Sequence, residues 1–342
     1  MNYFICPYNG DSAMKLWPSL ADKAFYLKSS ARSEDRLFFY DTTPQDCGVK
    51  NKFPLGKQPE GVPPNTDLLN TMLSTAPVIV LIHGLGDEAD SWRLVIPLLN
   101  SRGYRVLAVD LPGFGRSVTS GKKGIDSHAT GVLRLIEAVT QTSRQNGKGV
   151  FLAGSSIGAL VAEKIALKKP ELACGLILIG GSIPGGPAIR SPLVLAKLLF
   201  SRKWYHAYRD NPEGAWASLR SYYADLESLP HEDKEFLKQR VMDRVESKSQ
   251  GKAFFETQSS VIHTYLTASS GFARGISKYP GKILLLWGEK DRIMPLSSAE
   301  LFKALRSDTK LEIIAGAGHL PQQEKPDETA RLMVDFMDRV VD

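Results

Sequence analysis

The sequence predicts an α/β architecture: a mostly parallel central sheet flanked by helices, with an all-helical insertion after the sixth strand. Three observations carry this. From Pro77 onward, short apolar runs alternate with segments whose apolar residues recur at helical spacing. The runs lack polar alternation, so each strand is expected to be buried on both faces, as in a parallel sheet covered by helices. The alternation stops at Gly180, gives way to amphipathic helices through Gly275, and resumes at Lys282. The implied organisation is N-terminal strands and a Pro-rich loop over 1–76, a core of 77–180 and 276–342, and a helical lid of 181–275.

Taken in order, Lys23–Lys28 and Arg36–Tyr40 are plausible strands that together form an opening hairpin. Thr42–Thr75 carries Pro44, Pro54, Pro59, Pro63 and Pro64 and reads as a long surface loop, with one helical turn near Leu68–Leu73. Val78–Ile82 is a buried strand ending in His83-Gly84-Leu85-Gly86-Asp87, followed by a short helix over Ser91–Asn100 and a strand over Arg105–Val109. Asp126 is placed to cap a helix bearing Val132, Leu135, Ile136 and Val139. Val150–Ala153 and Leu176–Ile179 are further strands. In the insertion, Pro212 suits the first turn of a helix running through Trp216, Leu219, Tyr223 and Leu226. A second helix carries Leu237, Val241 and Val245, and a third runs from Phe254 through Tyr265 to a stop at Gly271. The core then continues as strand (Lys282–Trp287), helix (Leu296–Leu305), strand (Leu311–Ala315) and helix (Asp327–Val341).

Composition excludes several classes. The chain has 342 residues, 43% hydrophobic and 23% charged, the balance of a soluble globular protein. No apolar run approaches the ~20 residues of a membrane span, and Met1–Lys15 lacks a secretory leader pattern. Net charge is +6, but Lys and Arg are scattered among Asp and Glu without a nucleic-acid signature. Cys6, Cys47 and Cys174 match no metal spacing and build no disulfide framework, which points to a cytoplasmic protein. Neither a metal nor a cofactor is expected, and the expected partner is a small-molecule substrate.

The chemistry centres on Val150–Ala162, V-F-L-A-G-S-S-I-G-A-L-V-A. A strand meets a helix across Gly154-Ser155-Ser156-Ile157-Gly158, a G-x-S-x-G match. Such a turn holds a strained residue only where its neighbours lack bulk, and Gly154 and Gly158 meet that need. Ser156 then projects its Oγ at the helix N-terminus, and Ser155 faces away. A serine nucleophile needs a histidine and an orienting acid. His128, His206, His231 and His263 lie in or beside helices, where surface or packing roles fit better, and His83 shapes the Gly84 turn. His319 follows a strand in a small-residue loop, where parallel-sheet loops converge on one site. Among acids, Asp291 follows Lys282–Trp287. Its competitor, Asp110, is better placed to bond the backbone of the Pro112-Gly113 loop. After Ile179 the chain offers only Gly180, Gly181 and Ser182.

H-G-L-G from His83, D-L-P-G-F-G-R-S from Asp110, G-S-S-I-G from Gly154, G-E-K-D-R-I-M-P from Gly288 and G-H-L-P from Gly318 agree in order and spacing with one family. Over about residues 77–342 the chain resembles the α/β-hydrolase superfamily, in particular its lidded serine hydrolases. The resemblance implies a triad of Ser156, His319 and Asp291, an oxyanion hole from the backbone N–H groups of Leu85 and Ile157, and acyl transfer through Ser156. The chain departs from the pattern at Ala159, where relatives often have a second glycine. Its H-G-L-G differs from the H-G-G-G of one lipase branch.

Ser156 excludes the aspartate-nucleophile chemistries of the superfamily. The expectation is a hydrolase of small or medium apolar carboxylic esters. Two alternatives are a carbon–carbon bond hydrolase of a ring-fission diketone and a hydrolase-fold receptor with vestigial catalysis. The carbon–carbon hydrolases keep the serine triad and often a tryptophan like Trp287, but usually carry Asn where Ser155 stands. Pro192–Phe200, P-L-V-L-A-K-L-L-F, either packs where the lid docks or in part lines the entrance above Ser156; on the second reading Leu195, Leu199 and Trp287 are the pocket residues.

Overall fold

The computed structural model describes residues 3–10, 12, 14–30, 33–44, 76–142, 149–181 and 205–341. Its centre is a sheet of strands β1 (Phe4–Pro7), β2 (Ala24–Lys28), β3 (Arg36–Thr42), β4 (Val78–Ile82), β5 (Arg105–Val109), β6 (Val150–Ser155), β7 (Ala173–Ile179), β8 (Lys282–Gly288) and β9 (Lys310–Ile314). The spatial order is β1-β2-β3-β5-β4-β6-β7-β8-β9. Strands β4 to β9 are parallel, and β1 to β3 add an antiparallel edge. The expected opening hairpin is β2–β3.

Strand β1 was not foreseen, so the helical insertion follows the seventh strand, not the sixth. Its four residues are half-exposed or exposed and end in Pro7, which leaves neither an apolar run nor an alternation to read. Several helix boundaries also differ. Ser91–Asn100 divides into a 3₁₀ turn (Ala89–Trp92) and α1 (Ile96–Ser101), because Pro97 starts a new first turn. Asp126 lies inside the first turn of α2 (Ile125–Thr142) and pairs with Lys164 of α3 (Ile157–Lys168) at 2.8 Å. Ser127 Oγ is the atom that accepts from Gly124 N.

In the insertion, α4 (Pro212–Ala217) ends early and tight 3₁₀ turns carry Leu219 and Leu226. Asn211 caps α4, its side chain accepting from Gly214 N. Helix α5 (His231–Glu246) buries Leu237, Val241 and Val245 as read. Helix α6 (Lys248–Thr267) breaks at Ala268, and Gly271 lies within α7 (Ser269–Lys278). Helices α8 (Leu296–Leu305), α9 (Pro321–Glu324) and α10 (Pro326–Val341) complete the chain. Among the described residues, no helix is long and apolar enough to cross a membrane. The expected loop and helical turn within 45–75 lie outside the described residues.

Successive strand residues enter opposite cores, which explains the unbroken apolar runs. Val80, Ile82, Leu152, Leu178 and Leu285 pack toward α2 and α3. Ile79, Leu81, Ala153, Ile177 and Leu284 pack toward α1 and α10. The parallel register pairs Ile82 with Gly154, Ser155 with Ile179, Ile179 with Leu286 and Gly288 with Ile314. The strands therefore end together, and the loops carrying His83, Ser156, Gly180, Asp291 and His319 leave from one rim.

The insertion is fastened to the core by polar contacts. His128 Nε2 of α2 lies 2.8 Å from Thr257 Oγ1 of α6, and Lys123 N and Ile125 N donate to Glu256 and Ser260. Burial, reinforced by His83, lowers the His128 pKa to about 3. An unfolded chain takes up that proton near the ordinary value of about 6.5. Stability from this site is thus complete above about pH 6.5 and drains as pH falls toward 3, by about 2 kcal/mol at pH 5. Urea unfolding at pH 7 and pH 5 checks this: His128→Gln should lose about 2 kcal/mol less than the native protein between the two.

Candidate active site

Ser156 has φ 55° and ψ −118°, and is the only non-glycine residue with positive φ among the described residues. Holding a serine there costs on the order of 1–3 kcal/mol. The surrounding backbone enforces it. A Cβ on Gly154 would lie 2.2 Å from the Gly158 carbonyl, and one on Gly158 would lie 2.3 Å from Ile82 O, so the β6–α3 crossing admits only glycine at both positions. Ser156 N donates to Ile179 O at 2.8 Å. Ser155 is fully buried, and its Oγ accepts from Gln322 Nε2 at 3.2 Å, so it points away from the rim.

His319 and Asp291 form one buried pair, Nδ1 to Oδ2 at 2.8 Å. The other carboxylate oxygen accepts from Ile293 N at 2.8 Å and Met294 N at 2.9 Å, which fixes its direction. With Nδ1 donating to the carboxylate, Nε2 is the acceptor nitrogen. It is buried and has no hydrogen-bond partner among the described residues. Two glycines join this pair to the serine. A Cβ on Gly180 would sit 3.1 Å from His319 Nδ1 and 3.2 Å from Asp291 Oδ2, and one on Gly181 only 2.2 Å from Ser156 O. Gly180-Gly181 is thus the seam along which the three residues meet.

Asp110 accepts from Ala89 N, Arg116 N and the Arg116 guanidinium at 2.7–2.9 Å, all fully buried. It braces the loop after β5, as expected. His83 is also structural: Nδ1 donates to Gly84 O at 2.7 Å and Nε2 accepts from Leu111 N at 2.9 Å, while burial lowers its pKa.

The Gly84–Asp87 turn closes through Asp87 N to Gly84 O at 3.3 Å with Gly86 at φ +73°. A Cβ on Gly84 would be 3.3 Å from Ser156 Cβ, so Leu85 stands beside the serine. Ile157 is the first residue of α3, where backbone N–H groups have no intrahelical acceptor. Arg244 of α5 grips the loop's far side, contacting Asp87 Oδ1 at 2.9 Å and Glu88 Oε1 at 3.0 Å. Burial outweighs Arg244 at Asp87 and pushes its pKa to about 6. At Glu88 burial is overcome by Arg244 and Arg240, and the pKa falls.

The pocket assignment of Trp287 needs correcting. Its indole is fully buried in the core and donates Nε1–H to Met294 O at 2.9 Å, bracing the Asp291 loop from behind. Leu195 and Leu199 lie outside the described residues. The structure adds Tyr222, whose backbone O accepts from His319 N at 2.7 Å and whose ring lies 5.8 Å from the imidazole. It also adds Glu324, which accepts from Gly318 N and Ala224 N, both at 2.7 Å. Neither stands in a motif, and the contacts at Tyr222 O and Ala224 N arise only when the insertion folds onto the histidine loop.

These features define a class. The sequence profile of the alpha/beta hydrolase family matches residues 79–332, and the chain belongs to that family. It is 26% identical over 265 residues to YugF, an uncharacterized hydrolase of Bacillus subtilis, covering 76% of this chain and 89% of that protein. It is 24% identical over 267 residues to 2-hydroxy-6-oxononadienedioate/2-hydroxy-6-oxononatrienedioate hydrolase 1 of Pseudomonas putida, covering 76% and 87%. A thermophilic esterase from Thermogutta terrifontis shares the fold with a TM-score of 0.64 at 19% identity, covering 91% of this chain and 96% of that one.

The two aspartates should separate cleanly. Asp291→Asn, which offers His319 Nδ1 the wrong partner, is expected to lower turnover about 10⁴-fold with little change in thermal stability. Asp110→Asn removes one of the two carboxylates that pair with the buried Arg116, leaving Asp90, and should cost about 3 kcal/mol in urea unfolding. Loss of catalysis at Asp110 with an unchanged unfolding curve would reverse the two assignments.

Proposed function

We propose that this hydrolase cleaves carboxylic esters of small or medium apolar acids through an acyl-enzyme on Ser156. The observation carrying the proposal is the strained serine at φ 55°, separated by one Gly-Gly seam from a buried His–Asp pair whose Nε2 is unpartnered among the described residues. A strained turn and a buried unsatisfied nitrogen both cost stability, and their coincidence is what acyl-transfer chemistry requires.

In this reaction Ser156 Oγ attacks the ester carbonyl while His319 Nε2 takes the hydroxyl proton. Asp291 holds the imidazole and balances its positive charge. The negative charge on the carbonyl oxygen is met by the N–H groups of Leu85 and Ile157, each worth about 3 kcal/mol in the transition state. Collapse expels the alcohol, which receives the proton from His319. Water then gives a proton to His319 and attacks the acyl carbon, and His319 returns that proton to Ser156 Oγ as the Oγ–acyl bond breaks and the acid leaves.

Carbon–carbon bond hydrolysis is the second reading, and its support is the likeness to the Pseudomonas putida enzyme. It would use the same serine, histidine and aspartate. A panel of chromogenic esters of graded acyl length, with one ring-fission diketone included, separates the two by kcat/KM.

A fluorophosphonate probe is expected to label Ser156 and leave Ser155 untouched. Ser156→Ala should abolish labelling and lower turnover by several orders of magnitude. Labelling that persists in this variant would remove Ser156 from the mechanism.

A further inference from the structure

The turn Gly84-Leu85-Gly86-Asp87 has little of its own to hold its shape. Two of its four residues are glycines, whose backbone is the least restricted of any residue. Its closing bond, Asp87 N to Gly84 O, is 3.3 Å long. The core fastens only its two ends. His83 Nδ1 donates to Gly84 O at 2.7 Å on one side, and Ala89 N donates to Asp110 Oδ1 at 2.7 Å on the other.

Between those ends the insertion takes hold. Arg244 Nη2 donates to Asp87 Oδ1 at 2.9 Å and to Glu88 Oε1 at 3.0 Å, and its Nε donates to Glu88 Oε2 at 3.1 Å. A guanidinium is a rigid planar fork, so a two-point grip on Glu88 with a further bond to Asp87 fixes direction as well as distance. Phe254 of α6 supplies a second contact, since a Cβ on Gly86 would lie 3.1 Å from its ring. Tyr205 ties the two together. Its Oη donates to Arg244 O at 2.8 Å, and its ring centre lies 5.2 Å from that of Phe254. That carbonyl belongs to the last turn of α5, where a helix leaves acceptors unpaired, so Tyr205 steadies the helix end that presents the arginine.

The other side of the turn lies on the serine: a Cβ on Gly84 would be 3.3 Å from Ser156 Cβ. The turn is thus sandwiched between Ser156 and the insertion. An oxyanion donor acts only within about 2.7–3.1 Å of the developing charge, and a displacement of about 1 Å can cost about 10²-fold in rate. A glycine-rich turn meets that tolerance only when something outside it sets its height above the serine. Arg244 makes three of the hydrogen bonds that do so, all to the residues that close the turn.

Resting on the reading of Ser156 as nucleophile and of Leu85 N–H as an oxyanion donor, we propose that Arg244 is a positioning residue: from the insertion, it holds the Gly84–Asp87 turn where Leu85 N–H meets the charge of the transition state. It touches neither the substrate nor the reacting atoms, and it acts through Asp87 and Glu88.

The test uses the purified full-length protein, with active molecules counted by fluorophosphonate labelling of Ser156. Arg244→Gln is expected to lower kcat per active molecule about ten- to hundred-fold, less than the loss of a whole donor, with KM within about two-fold. Arg244→Lys keeps the charge but not the fork, and should stay about ten-fold down. An alkyl trifluoromethyl ketone, which adds Ser156 Oγ to its carbonyl carbon and leaves the negative charge on its oxygen, should bind more weakly by the same factor as kcat/KM falls. The matching methyl ketone, which stays a ketone, should bind as before. A merely structural role would lower the count of labelled molecules and leave each one's kcat and ketone affinities unchanged. Asp87→Ala, which removes one of the bonds, should show the same signature at smaller size and serves if the arginine variants fail to fold. A rise in KM with kcat intact, equal weakening of both ketones, or full turnover in Arg244→Lys would overturn the assignment while Ser156 labelling still stood. Failure of the native protein to label at Ser156 would instead remove the reading on which it rests.

Discussion

The constraint on which this site depends is the crossing of α3 over β4 immediately after β6. Gly154, Gly158 and Gly181 pass so close to neighbouring backbone that a single methyl group at any of them would collide with a carbonyl. That contact holds Ser156 at positive φ and so sets the direction of its side chain. Two parallel-strand registers then bring the histidine and aspartate loops to the same rim. A one-residue slip in either would turn every buried strand residue to the opposite core, so the packing of both faces holds the site in register.

The residues of the proposed triad are few, and the residues that hold the surrounding loops are many. Arg116 is paired with Asp110 and Asp90, both at 2.8 Å, and donates to Tyr40 Oη at 3.0 Å, with all four groups buried. Arg93 donates to Asp233 of α5 at 3.1 Å and to Gln323 of α9 at 3.4 Å. Arg240 stands between Glu88, Asp90 and Asp243. Buried pairs of this kind add little net stability over apolar packing, but breaking one leaves an uncompensated charge. These pairs tie the loop after β4 to α5 of the insertion and to α9 beside the histidine loop.

Much of this was legible from the chain because the relevant signals are local. Gly-x-Ser-x-Gly between an apolar run and a helix-tolerant segment reports a steric requirement that the neighbouring residues must meet themselves. Asp110 could be set aside because Pro112 and Gly113 announce a turn with backbone donors to satisfy. Long-range contacts leave no such mark. Strand β1 was missed because an edge strand with a proline and little burial has no periodic pattern. Trp287 was misjudged because an aromatic residue at a strand end looks alike whether it faces a cavity or the back of a loop. Tyr222 carries no motif, and its place over His319 follows from the fold of the insertion.

That last contact shows why the insertion belongs to the site. A Cβ on Gly318 would fall 2.6–2.8 Å from the backbone of Tyr222 to Ala224, so the two segments touch main chain to main chain. Glu324 binds both, through Gly318 N and Ala224 N, and His319 N donates to Tyr222 O. The sheet sets where the histidine loop begins, and Asp291 sets the imidazole's tautomer. The loop's own backbone, however, is satisfied in part by the insertion, since His319 N donates to Tyr222 O. Removing that support would leave His319 N–H without this acceptor in a buried setting, a cost of about 1–3 kcal/mol. The histidine is therefore held in place jointly by the core and the insertion, and neither segment alone completes the geometry around Ser156.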